Sequence, residues 1–118
     1  MVNHRDEELD RTFAALTDPT RRAILGRLEA EGPITVSAIA RPLPLGLPAI
    51  LKHLGVLEGA GLIVRTKVGR VVTIRIEPGP MRQAQAWLRT YERFWGPRLD
   101  HLARYAEARD SDPKGKPE

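Results

Sequence analysis

The apolar residues of the chain fall into two periods, and the change from one to the other marks its centre. Between Gly46 and Leu62, Ile50, Leu54 and Leu57 recur at i, i+4 and i+7, which puts one narrow apolar stripe on a helix. Lys52 and His53 fall off that stripe, on the side left for a partner. Gly61 supplies the left-handed residue that closes such a helix. From Ile63 to Glu77 the period becomes two. Val72, Ile74 and Ile76 alternate with Thr73 and Arg75, the pattern of a half-buried strand. Lys67-Val68-Gly69-Arg70 is the hairpin tip. Gly69 suits a positive φ, whereas Val68 fits a type I′ turn poorly, which leaves a type II turn or a looser loop.

The flanking segments read as helices. Leu9, Phe13 and Leu16 give a first helix over Glu8–Leu16. Asp18 as N-cap and Pro19 at the first helical position open a second, with Ala23, Ile24 and Leu28 buried, Leu25 on the flank and Gly32-Pro33 as its end. Ile34 is an isolated strand residue. Thr35 caps a short third helix, which contributes Val36, Ile39 and Ala40 to the core and which Pro42 and Pro44 stop. Helix, turn, helix and basic hairpin is the order of a winged helix-turn-helix, a mainly α fold with a small β-hairpin. A last helix runs from about Pro80 to Ala108 with Trp87, Tyr91, Phe94 and Trp95 at i, i+4, i+7 and i+8, extended by Leu99 and Leu102. Pro97 predicts a kink within it. So much aromatic surface calls for cover by the same helix of a second subunit, joined by the first helix, and the predicted interface is Leu9, Phe13, Trp87, Tyr91, Phe94, Trp95, Leu99 and Leu102. Residues 1–108 thus form one domain, with 80–108 its dimerisation helix and 109–118 a charged, disordered tail.

At 118 residues the length fits one domain. With no cysteine, neither a disulfide nor a thiolate metal site is available. No apolar run is long enough for a membrane span and the N-terminus is too charged for a secretory signal, so a cytoplasmic protein without membrane partners is expected. The net charge is +4, and five Lys/Arg stand against two acids between Leu45 and Glu77, a balance that suits a polyanion. No nucleophile with a base, no phosphate-cradling glycine loop and no carboxylate pair points to an enzyme, and no cofactor is implied.

DPTRRAIL, then PAILKHLGVLEGAGLI, the basic wing and the Trp-rich terminal helix together resemble the ArsR family of bacterial transcriptional repressors, over about Phe13 to Tyr105. The resemblance implies a winged helix-turn-helix homodimer, joined through its first and last helices. It implies repression of the protein's own operon at double-stranded DNA, with release by a small-molecule or protein effector. The DNA-binding residues assigned on this reading are Ser37, Gly46, Leu47, Ala49, Leu51, Lys52, His53, Arg65, Lys67 and Arg70. Arg70 at the wing tip is placed to enter a minor groove, and Arg65, Lys67 and Arg75 to hold the DNA backbone. Arg21 and Arg22 are read as structural or mildly electrostatic, not as base readers. The family usually has Ser where this chain has Gly46 and Leu51, so two hydroxyls are missing, and Leu51 can instead meet a thymine methyl. Val36-Ser37-Ala38 stands where metal-sensing members carry Cys-Val-Cys. Asp100 and His101 have no second histidine nearby, and no metal site is assigned. The apolar start of the recognition helix also sustains an alternative, a winged-helix protein-interaction module with weak or no specific DNA binding.

Overall fold

The computed structural model describes residues 3–111. In chain order these form α1 (His4–Ala15), α2 (Pro19–Glu31), β1 (Ile34–Thr35), α3 (Val36–Ala40), α4 (Leu47–Gly59), β2 (Ile63–Val68), β3 (Val71–Ile76) and α5 (Gly79–Ser111). The chain divides into two compact units, and the boundary falls inside α5 between Ala84 and Gln85.

In the first unit each helix starts where a side chain can take an orphaned N–H. Asn3 Oδ1 accepts from the Asp6 amide at 2.9 Å, so α1 begins at His4, four residues before the predicted start. Asp6 and Glu7 in its first turn also favour the positive end of the helix dipole. Asp18 caps α2 through the Arg21 amide, and Thr35 caps α3 through the Ala38 amide, both as the sequence predicts. Gly46 is the N-cap of α4 and has no side chain to offer. At the other end of α4, Gly61 has φ +74°. The Gly61 amide donates to the Glu58 carbonyl and the Leu62 amide to the Leu57 carbonyl. These two bonds make a Schellman closure, with Leu57 and Leu62 both buried beneath it.

The sheet is antiparallel in the order β1-β3-β2. Ile34 is therefore not isolated, since it pairs with Ile74 at the sheet edge. Val68 pairs with Val71, leaving Gly69 and Arg70 as a two-residue loop. Gly69 has φ +61° and no residue other than glycine has a positive φ among the described residues. A positive φ at the first central position alone is the pattern of a type II′ turn, which matches the twist of a hairpin. The predicted type II turn or loose loop is thus corrected. Val68 is the last ladder residue and never has to occupy the turn.

Ile24, Leu25, Leu28, Ile39, Ile50, Leu54, Leu57, Leu62, Ile63 and Ile74 form the core, with Val36, Ala40, Val72 and Ile76 packed around it. Two sequence assignments on α2 exchange places. Ala23 is exposed and Leu25 is buried, so the inward face is turned about one residue from the predicted one.

In the second unit α5 passes through Pro97 without a stop and ends at Ser111, so Arg109, Asp110 and Ser111, assigned to the tail, are helical. The rest of that tail, 112–118, lies outside the described residues. From Gln85 to Asp110 every residue except Gly96 is exposed. The rings contact one another along the helix. Trp87 and Tyr91 have centroids 4.4 Å apart, Phe94 and Trp95 meet edge to face at 5.4 Å, and the Arg98 guanidinium lies 4.2 Å from the Phe94 centroid.

Candidate nucleic-acid interface

Burial along α4 separates its two faces. Ile50, Leu54 and Leu57 are fully covered, while Leu47, Leu51 and Lys52 are exposed and Ala49 is half-buried. On one side of this outer face stands α3, which presents Ser37. On the other stands the hairpin, which presents Lys67 and Arg70, both exposed. Ser37, Leu47, Leu51, Arg65 and Arg70 line one open recess of about 360 Å³, with Thr35, Val36, Val71 and Val72 completing its walls. The pairing of the strands explains why the wing overhangs the helix. Arg65 is opposite Ile74 and Lys67 opposite Val72, so these cations share the sheet face of the core residues.

Two of the predicted DNA contacts are engaged within the protein. His53, expected on the face left for a partner, is turned towards the start of α2 and is largely covered. Its Nδ1 lies 3.3 Å from Arg21 Nη1 and 3.8 Å from Asp18 Oδ2. The Arg21 guanidinium can only donate, so Nδ1 is the acceptor of that contact. His53 therefore positions the recognition helix. Arg65 is likewise held, with Nη2 at 3.4 Å from Glu58 Oε1, which ties the wing to the last turn of α4. Its Nε is buried without a hydrogen-bond partner. Arg75 sits 3.7 Å from Glu77 and remains half exposed. Of the predicted interface residues, Leu9 is already buried within the chain and Phe13 is half-buried.

Arg21 and Arg22 have the structural role that the sequence suggests, in a form it does not specify. The last turn of α1 carries no basic residue of its own. Arg21 Nε donates to the Ala15 carbonyl at 2.7 Å and Nη2 to that of Ala14, while Arg22 Nη1 donates to that of Leu16 at 2.7 Å. The two arginines of α2 thus satisfy the carbonyl end of α1 and complement its dipole. Asp18 and Arg21 were not among the predicted site residues. The signal that could have found them is the Asp18-to-Arg21 capping spacing itself, since a capped arginine is fixed next to whatever the cap faces.

The Arg21 amide holds the Asp18 carboxyl below its ordinary pKa. Partial burial opposes this, and the charges of His53 and Arg21 reinforce it. A depressed native pKa gives stability that is present above the ordinary aspartate range and is lost as pH falls through the native value. Asparagine caps about as well as aspartate, so Asp18→Asn isolates the charge. Wild type should have the higher urea midpoint at pH 7, and the gap should close on acidification into the carboxylate range. A gap unchanged down to pH 2 would mean that the charge contributes nothing.

A helix packed on the core by one face, bare on the other and flanked by a basic two-stranded wing defines a winged helix-turn-helix transcriptional regulator. Comparison with known proteins is consistent with this class. Residues 16–66 match a family model described as a helix-turn-helix domain. The chain is 40% identical over 104 residues to the HTH-type transcriptional regulator Rv2034 of Mycobacterium tuberculosis, covering 87% of this chain and 90% of that protein. It is 29% identical over 80 residues to the transcriptional repressor SdpR of Bacillus subtilis, covering 68% of this chain and 88% of that protein. The crystal structure of an ArsR family transcriptional regulator superposes with a TM-score of 0.73 at 45% identity, over 81% of this chain and 97% of the other. The chain belongs to the ArsR family of winged helix-turn-helix regulators.

Proposed function

We propose that the protein is a homodimeric repressor that occupies a pseudo-palindromic operator near its own operon, in the cytoplasm. The observation that carries this reading is the open outer face of α4, where Arg70 shares a recess with Ser37, Leu47 and Leu51 and where Lys52 and, on the wing, Lys67 are exposed. The dimer is inferred from α5, whose aromatic and leucine side chains from Trp87 to Leu102 are exposed in the single chain. Joined through that helix with help from α1, two protomers would present their recognition helices about 34–36 Å apart, one duplex turn, to successive major grooves. The wings would flank them, each sending Arg70 towards a minor groove. Occupying a promoter in this way excludes polymerase. No helix among the described residues is long and apolar enough to cross a membrane.

The test is binding to the protein's own upstream intergenic duplex, beside an unrelated duplex, over a series of salt concentrations. Log affinity should fall with log salt by roughly 0.9 for each phosphate neutralised, and the native fragment should be preferred. Arg70→Ala should weaken binding roughly tenfold near 0.1 M salt and flatten the slope by about 1, with the dimer intact. A flat salt response would count against the whole scheme. Unchanged binding by Arg70→Ala would remove only the wing tip from it.

A further inference from the structure

Leu47 and Leu51 lie one helical turn apart on α4 and remain 53% and 40% exposed. Both open on the recess that they share with Ser37, Arg65, Arg70 and Val71. Neither leucine can hydrogen-bond a base edge. The apolar feature that a base pair presents in the major groove is the C5-methyl of thymine. The charges around the recess decide which kind of macromolecule fits it. Arg70 lines the recess itself, Lys52 follows Leu51 on α4 and Lys67 pairs with Val72 of the recess wall, and all three are exposed. Glu58, the acid on α4, is turned to Arg65. An apolar patch bordered by free cations complements methyl groups carried on a polyphosphate backbone.

We infer that Leu47 and Leu51 set the sequence preference of this protein by packing on thymine methyl groups in each half-site, while Lys52 and Lys67 hold the backbone on either side. Arg65 has a different part. Tied to Glu58, it fixes the wing against α4 and so sets the width of the recess into which the methyl groups must fit. This rests on the DNA-binding reading above and specifies what that face reads.

The test replaces thymine by deoxyuridine, which keeps every hydrogen-bonding group of the base and removes only the methyl. The upstream intergenic fragment is amplified once with dTTP and once with dUTP. Both duplexes are titrated at one salt concentration with wild type and with the double variant Leu47→Ala, Leu51→Ala. Wild type should lose about three- to fivefold in affinity for each methyl it covers. The double variant should bind both duplexes alike, near the affinity of wild type for the uracil duplex. Both side chains are outside the core, so the variant should keep the wild-type unfolding midpoint, which is measured alongside.

Equal binding of the two duplexes by wild type, above an unrelated duplex, would overturn the inference and leave the repressor reading standing. A thymine preference retained in full by the double variant would also overturn it, because the loss would then come from duplex deformability. Failure of wild type to prefer either fragment over unrelated DNA would overturn both readings, and would turn the leucine patch towards a protein partner.

Discussion

Leu54→Ala should lower the unfolding free energy by about 2–5 kcal/mol, the largest single effect expected in the first unit. Leu54 is fully covered and sits on α4 within the core cluster that also holds Ile24, Leu28 and Ile74. Truncation removes its transfer free energy and leaves a cavity between elements that cannot all close on it. A small domain has a stability of only about 5–15 kcal/mol, so much of the margin would go. Urea unfolding checks this as a lower midpoint at an unchanged slope. Leu51→Ala, three residues away on the exposed face, should change stability by no more than about 0.5 kcal/mol. Comparable losses at the two positions would mean that the inward face of α4 has been assigned wrongly. The comparison needs equal protein concentrations, because association would make the midpoints depend on them.

The second large effect is expected on α5. Trp95→Glu with Leu102→Glu places carboxylates at two exposed positions seven residues apart on the aromatic face. Across a two-fold interface each charge would meet apolar groups or its own copy, and both arrangements are unfavourable. The variant should sediment as a monomer with the helix content of the wild type. Its affinity for the upstream fragment should fall by about 10²–10⁴, because the second half-site no longer binds as part of the same molecule. A variant that stays dimeric would move the proposed interface off this face. A monomer that binds the fragment as tightly as wild type would show that one recognition helix is sufficient, and would remove the pseudo-palindrome from the model.

The positions that were legible in the sequence are those governed by neighbours along the chain. The inward stripe Ile50, Leu54 and Leu57, the caps Asp18 and Thr35, the closure at Gly61 and the alternation of Val72, Ile74 and Ile76 are each where their spacing places them. Helix period, strand period and cap chemistry act over a few residues, so a local reading is sufficient. The start of α1 is equally local, signalled by Asn3 and the acidic turn after it, whereas the apolar spacing begins only at Leu9 and so marks the helix late.

Partners distant in sequence were not legible. His53 lies on the polar side of the α4 pattern, and nothing near it in the sequence indicates Arg21, 32 residues earlier, as its partner. Arg65 reads as a free wing cation until the hairpin folds back and brings Glu58 within reach. Leu9 reads as interface because its helix is amphipathic, yet folding of the single chain already covers it. The sequence by itself determined the order of the helices and hairpin strands, the buried faces of α4 and β3 and the winged helix-turn-helix pattern, because these follow from short-range sterics and apolar period. Only the tertiary structure decided which cations remain free for a polyanion and which are held by the protein. That depends on which carboxylates, imidazoles and carbonyls long-range packing brings within hydrogen-bonding distance.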